Sequence, residues 1–136
     1  MSQPEFRARV ILEAGVSPSE DVAKVAAALG GIIGRTAEEV SQGTSEARLV
    51  TDDSRALAFV RDQLRDRHVR SAARRQLLLN KTGRSTSLML NRQAAAAGVL
   101  NVCGSAEESP LGPIVLTIES HSLDKVVDWL TAYSEG

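Results

Sequence analysis

The sequence predicts a single α+β domain over residues 1–136, with an antiparallel or mixed sheet and helices packed mainly on one face. Three observations carry this. Residues 5–13 and 114–119 alternate apolar and polar side chains, the period of half-buried strands. Residues 22–29, 57–64 and 123–130 instead place apolar groups three and four apart, the period of helices with one buried side. The two kinds of segment intermix with short links, and strands polar on one side suit a sheet covered on the other.

In the first strand Phe6, Ala8, Val10 and Leu12 face one way and Glu5, Arg7, Arg9 and Glu13 the other, and Gly15 ends it. Ser17-Pro18-Ser19-Glu20 reads as a capping box: Ser at the cap, Pro at the first helical position, Glu reaching back. The helix behind it buries Val22, Val25, Ala26 and Leu29, and Gly30-Gly31 stops it. Ile32-Ile33, Val40 and residues 47–50 suggest two short strands around a turn at 41–44. Asp52 or Asp53 caps a helix from 54. Its apolar side, Leu57, Val60 and Leu64, spans about 60° at 100° per residue. Continuing that helix would rotate Val69, Ala72 and Ala73 away by roughly 140°, so the chain breaks near 65–68 and a second helix runs to about Leu78.

A turn at 81–84 leads to a strand over 85–90 with Thr86, Leu88 and Leu90 on one side. Asn91 caps a short helix over 92–97 that Gly98 ends. Residues 99–103 read as a further strand and 104–113 as a turn-rich loop. The strand over 114–119 turns Ile114, Leu116 and Ile118 inward. The last helix, from 123 to about Tyr133, buries Leu123, Val126, Val127 and Leu130. Phe59 falls off the apolar side of its helix; nothing local explains it, and a second contact surface would.

A chain of this length buries roughly two-thirds of its unfolded surface, so its core needs neither disulfide nor metal. Cys103 is the single cysteine, which suits a reducing cytoplasm. No apolar run approaches a membrane span or a signal-peptide core, so no membrane is expected. Catalytic residues, a metal and a cofactor are likewise not expected. His68 and His121 lie far apart in sequence and Cys103 has no companion ligand. Ser120-His121-Ser122 has no nucleophile elbow around it. Gly30-Gly31-Ile32-Ile33-Gly34 lacks the Lys-Ser/Thr ending of a phosphate loop. Glu38-Glu39 and Glu107-Glu108 are sequence neighbours in loops, where solvation is the simple account.

Charge is the informative feature. Residues 61–92 hold nine basic groups (Arg61, Arg65, Arg67, Arg70, Arg74, Arg75, Lys81, Arg84 and Arg92) against Asp62 and Asp66, a net of +7 in a chain of net charge −1. Arg67, Arg70 and Arg74 form a stripe nearly opposite Val69, Ala72 and Ala73, which places the arginines outward. No acid follows Asp66 until Glu107, so the charge is locally uncompensated. It extends over two helices, a turn and a strand, a spread that suits a polyanionic backbone better than one small anion. The four aromatics are not interleaved with the arginines and offer no stacking platform. That favours the phosphates and 2′-hydroxyls of a folded or duplex RNA. About five phosphate contacts would give log K against log salt a slope near −4.

Three blocks carry a family resemblance. Phe59-Val60-Arg61 through Arg67-His68-Val69-Arg70-Ser71-Ala72-Ala73-Arg74 resembles a basic helical motif. Leu90-Asn91-Arg92-Gln93-Ala94-Ala95 resembles a Leu-Asn-Lys-Gln-Ala-Ala motif, and Glu108-Ser109-Pro110-Leu111-Gly112-Pro113-Ile114 a loop-to-strand motif. Together, in this order and spacing, they are similar to a small archaeal family of predicted RNA-binding proteins. Its fold is likened to double-stranded-RNA-binding domains and to the ribosomal protein that binds 5S rRNA. The resemblance implies an antiparallel α+β fold, a homodimer, RNA as partner, and a link to RNA processing. It carries RNA binding onto Arg67, Arg70, Arg74, Asn91, Arg92 and Gln93, with Arg92 standing where the family has Lys. Residues 31–47 depart most from the family pattern. For Asn91-Arg92-Gln93 a structural corner, with Asn as cap and Gln packed on backbone, stands beside the RNA role.

The expected function is therefore non-catalytic binding of structured or double-stranded RNA. The alternative is a homodimeric sensor or scaffold domain that binds a small anionic ligand or an acidic protein partner.

Overall fold

A computed structural model describes residues 7–132. β1 (Arg9–Gly15), β2 (Ser41–Gln42), β3 (Glu46–Thr51), β4 (Ser85–Leu90) and β5 (Ile114–Glu119) form one sheet in the order β2-β3-β1-β5-β4. Every neighbouring pair is antiparallel. The helices are α1 (Val22–Ile32), α2 (Ser54–Gln63), α3 (Arg67–Leu79), α4 (Arg92–Ala96) and α5 (Leu123–Thr131). The α+β class is as the sequence predicts, and the sheet is antiparallel.

Strand alternation decides where the core sits. Val10, Leu12, Ala14, Ala47, Leu49, Leu88, Leu90, Ile114, Leu116 and Ile118 all lie in one cluster with Leu29, Leu57, Leu77 and Leu130 from the helices. The other side of the sheet carries a cross-strand row of Val50, Ile11, Thr117 and Ser87. Beside it, Arg48 on β3 stands opposite Glu13 on β1 at 3.6 Å. Among the described residues no helix is long and apolar enough to cross a membrane.

Several boundaries differ from the sequence reading. Glu5 and Phe6, the start of the first expected strand, and Tyr133, the end of the last expected helix, lie outside the described residues. Gly15 is the last paired residue of β1 rather than its terminator. Glu20 does reach back to Ser17 N–H at 3.0 Å, but across a turn. α1 starts later, capped by Asp21, which accepts from Ala23 N–H. α1 also runs through Gly30 and Gly31, so Ile32-Ile33 close a helix instead of opening a strand. Gly30 is there for space: a Cβ would stand 2.6 Å from Arg35 O. The β2–β3 turn falls at 43–45, and residues 99–103 make only an isolated bridge, Leu90 with Val102.

The break between α2 and α3 stands where the two apolar registers require it, and Asp66 caps α3 by accepting from His68 and Val69 N–H. β4 is an edge strand, and its outer side is closed. Ser85 and Thr82 exchange both backbone hydrogen bonds, and Asn80 Nδ2 donates to Ser87 O. Gln76 of α3 accepts from Met89 N–H and donates to Cys103 O at 2.6 Å, while Cys103 N–H donates to Met89 O. Side chains and loop backbone thus occupy groups that would otherwise template another strand.

Candidate nucleic-acid interface

α3 is amphipathic by construction. Ala73 and Leu77 are buried and Val69 packs against the core, while Arg67, Ser71, Arg74, Arg75, Leu78 and Leu79 face outward. Its 13 residues make it about 20 Å long. The preceding corner, 64–66, brings Arg65 to the surface beside the α3 N-terminus.

The nine cations do not share one fate. Arg61 is half-buried; its Nε donates to Trp129 O at 2.9 Å, its Nη2 to Ala132 O at 3.2 Å, and its guanidinium lies 5.0 Å from the Trp129 ring centroid. It ties α2 to α5. Arg70 Nη1 donates to Arg65 O at 3.0 Å and Leu64 O at 3.4 Å, a cation on the carbonyl end of α2. Arg74 Nη1 meets Asp128 Oδ1 and Thr131 Oγ1, each at 3.0 Å. Lys81 pairs with Asp124.

Arg92 is corrected outright: it is 6% exposed and belongs to the interior. Its Nη1 donates to Glu20 Oε1 at 2.8 Å and to Gly15 O at 2.7 Å, and its Nε to Gly112 O at 3.0 Å. It cannot serve as a phosphate contact. Asn91 is the cap of α4, accepting from Ala94 N–H at 2.8 Å and donating to Glu108 O. Gln93 is exposed.

Arg65, Arg67, Arg75 and Arg84 remain outward, and no carboxylate of the described residues pairs with them. Arg65 Nε donates only to a main-chain oxygen, Asp62 O at 3.0 Å. Asp66, the acid nearest them in sequence, is turned onto backbone; the Val69 and His68 N–H groups hold its carboxyl below its ordinary value. The expectation of nine cations on one face is thereby reduced to four outward arginines without a carboxylate partner among the described residues, ranged from the α2–α3 corner to the turn before β4. The sequence reading missed the compensation because it comes from Asp124 and Asp128, which α5 brings against α3 from 43 and 54 residues away. Their i, i+4 spacing on an amphipathic helix was the available signal.

Among the described residues no group of three His, Cys, Asp or Glu is placed to hold a metal ion. Cys103 is buried, and that burial pushes its thiol up.

The surroundings of Phe59 were the other missed feature. Off the apolar side of α2 as the sequence places it, the ring is 44% exposed and lies against Gly34, beside Ile33, Arg35 and Arg55.

No family model matches the chain. It is 36% identical over 126 residues to the UPF0201 protein of Sulfurisphaera tokodaii, covering 90% of this chain and 86% of that protein. The UPF0201 protein of Sulfolobus acidocaldarius is 36% identical over 125 residues with the same coverage. Among solved structures, the crystal structure of a UPF0201 protein from Methanococcus jannaschii superposes with a TM-score of 0.72 at 24% identity, over 94% of this chain and 96% of that one. A DUF54 protein from Methanothermobacter thermautotrophicus gives 0.67 at 20%, over 94% and 98%. The chain shares its fold with these solved structures.

Proposed function

The chain belongs to the archaeal UPF0201 family, and we propose that it is a non-catalytic RNA-binding protein that grips structured or double-stranded RNA with Arg65, Arg67, Arg75 and Arg84. The observation that carries this reading is that these four guanidinium groups stand outward with no carboxylate partner among the described residues, although acids outnumber bases in the chain as a whole. A neutral protein that leaves cations unpaired in one region presents a local field to an anion. Arginine forks suit phosphate oxygens, and four of them distributed over the α2–α3 corner, α3 and the turn before β4 suit successive phosphates rather than one small anion.

Mobility-shift titration against a hairpin RNA at several salt concentrations tests it. Four contacts predict a slope of roughly −3.5 and a loss of about a hundredfold in affinity between 50 and 200 mM salt. Arg67→Glu/Arg75→Glu should fold as the parent does and bind at least tenfold more weakly. Arg70 and Arg74 are poor test positions, since one caps α2 and the other pairs with Asp128. Binding that ignores salt, or survives the double substitution, overturns the reading.

One observation favours a second reading, an acidic protein partner. Leu78 and Leu79, 46% and 77% exposed, lie beside Arg75, and a phosphate backbone has no use for them. Leu79→Ser would weaken such a complex and leave RNA affinity unchanged.

A further inference from the structure

We infer that the recess between the end of α1 and the start of α2 receives one unpaired nucleobase of the bound RNA, stacked on Phe59. The inference rests on the RNA reading above and deepens it.

The recess holds about 300 Å³ and is lined by Ile33, Gly34, Arg35, Arg55 and Phe59, the small end of the range for ligand pockets. Its wall is a seated aromatic ring. Gly34 has φ +70°, and a Cβ there would stand 2.9 Å from Phe59 Cδ2 and 3.0 Å from Cε2. Glycine therefore lets the ring rest on backbone, while much of Phe59 stays open to solvent. Gln63 holds the same corner, donating from Nε2 to Ile32 O at 2.7 Å and to Phe59 O at 3.3 Å. An exposed phenyl ring fixed this way costs little ordering when another planar group covers it.

Charge decides what that group is. Asp53 lies between the two arginines: Arg35 Nη2 donates to its Oδ2 at 2.6 Å, and Arg55 Nε and Nη2 at 3.0 and 2.8 Å. Arg35 Nη1 also donates to Glu39 at 2.9 Å. The two guanidinium charges are thus balanced by two carboxylates, which is unfavourable for a free anion. What the carboxylates leave is orientation. Asp53 holds Arg55 by its Nε and Nη2, so Nη1 is turned away from that carboxylate, on a side chain that is 77% exposed. A neutral planar ring with acceptor atoms at its edge matches this arrangement, stacking on Phe59 and accepting from Arg55. Nucleobases have both features. Position agrees as well, since Phe59 lies on α2 four residues before that helix ends and the chain turns into the corner that bears Arg65.

The test uses two hairpin RNAs, one fully paired and one with a single-nucleotide bulge bearing 2-aminopurine. The parent should prefer the bulged RNA by about tenfold and change the probe's fluorescence. Phe59→Ala should abolish both effects and keep its affinity for the paired hairpin; Phe59→Tyr should retain them. Circular dichroism confirms the fold of each variant. Equal affinity for the two RNAs, or a preference that survives Phe59→Ala, overturns the inference while leaving the α3 reading intact. If neither RNA binds, the RNA reading fails, and titration with adenosine, a neutral nucleoside, decides the recess by itself. Shifts at the Gly34 and Phe59 amides that Phe59→Ala removes would support the recess, and their absence would sink it.

Discussion

Arg92 shows how one residue can be right in place and wrong in role. Its position after a helix-capping Asn is legible locally, but its partner Glu20 lies 72 residues earlier, and no pattern within a window reports that pairing. The side chains are 7% and 12% exposed, so each ion depends on the other and on the carbonyls of Gly15 and Gly112. Arg92→Met, which strands the Glu20 carboxylate, should cost about 3 kcal/mol in urea unfolding. The pH dependence has a definite sign. Burial alone would raise the Glu20 carboxyl, but the Ser17 N–H and the Arg92 guanidinium outweigh it and hold it below its ordinary value. Its contribution is therefore present above the unfolded carboxyl pKa of 4.5 and is lost as pH falls through the lowered folded value. Glu20→Gln should flatten the acid limb of a stability-against-pH curve and lower its neutral plateau.

At the scale of elements, periodicity located α1, α2, α3 and α5 and the strands over 85–90 and 114–119, because burial on one side imposes 3.6 or 2 residue spacing wherever the partner is; α4 was legible from its Asn91 cap instead. Endings were less legible. Gly30-Gly31 resembles a stop in sequence, yet the first glycine sits inside α1 against the backbone at Arg35, and the second has no neighbour within 4 Å of where its Cβ would be. The pair should separate cleanly on substitution. Gly30→Ala should lower the melting temperature through its contact with main-chain oxygen, which cannot give way as a flexible side chain would. Gly31→Ala should hold it or raise stability by up to about 1 kcal/mol, the helix-propensity difference. Phe59 belongs here too: its angle on α2 was correctly read as off the core, but its companions at 33–35 fall in the stretch whose conformation the sequence left weakest.

Across the whole molecule, charge was read along the chain but is balanced in space. The acids of α5 neutralise Arg74 and Lys81, and only the packing of α5 against α3 reveals it. The outward arginines were therefore legible in location, the α2–α3 region, and overstated in number. The closed edge of β4 was invisible in sequence, since Gln76 gives no periodic signal of its own. Gln76→Ala should leave Met89 N–H and Cys103 O each short of a partner, at about 2 kcal/mol, with faster amide exchange at Met89.

Gln76 also clasps the sheet from within the same helix that bears Arg67 and Arg75. Those stems consequently rise from a platform that is set before any encounter. A polyanion settling there would shed counterions without waiting for polypeptide to order, so calorimetry of the complex should find a favourable entropy of salt release and a heat capacity left nearly where it began.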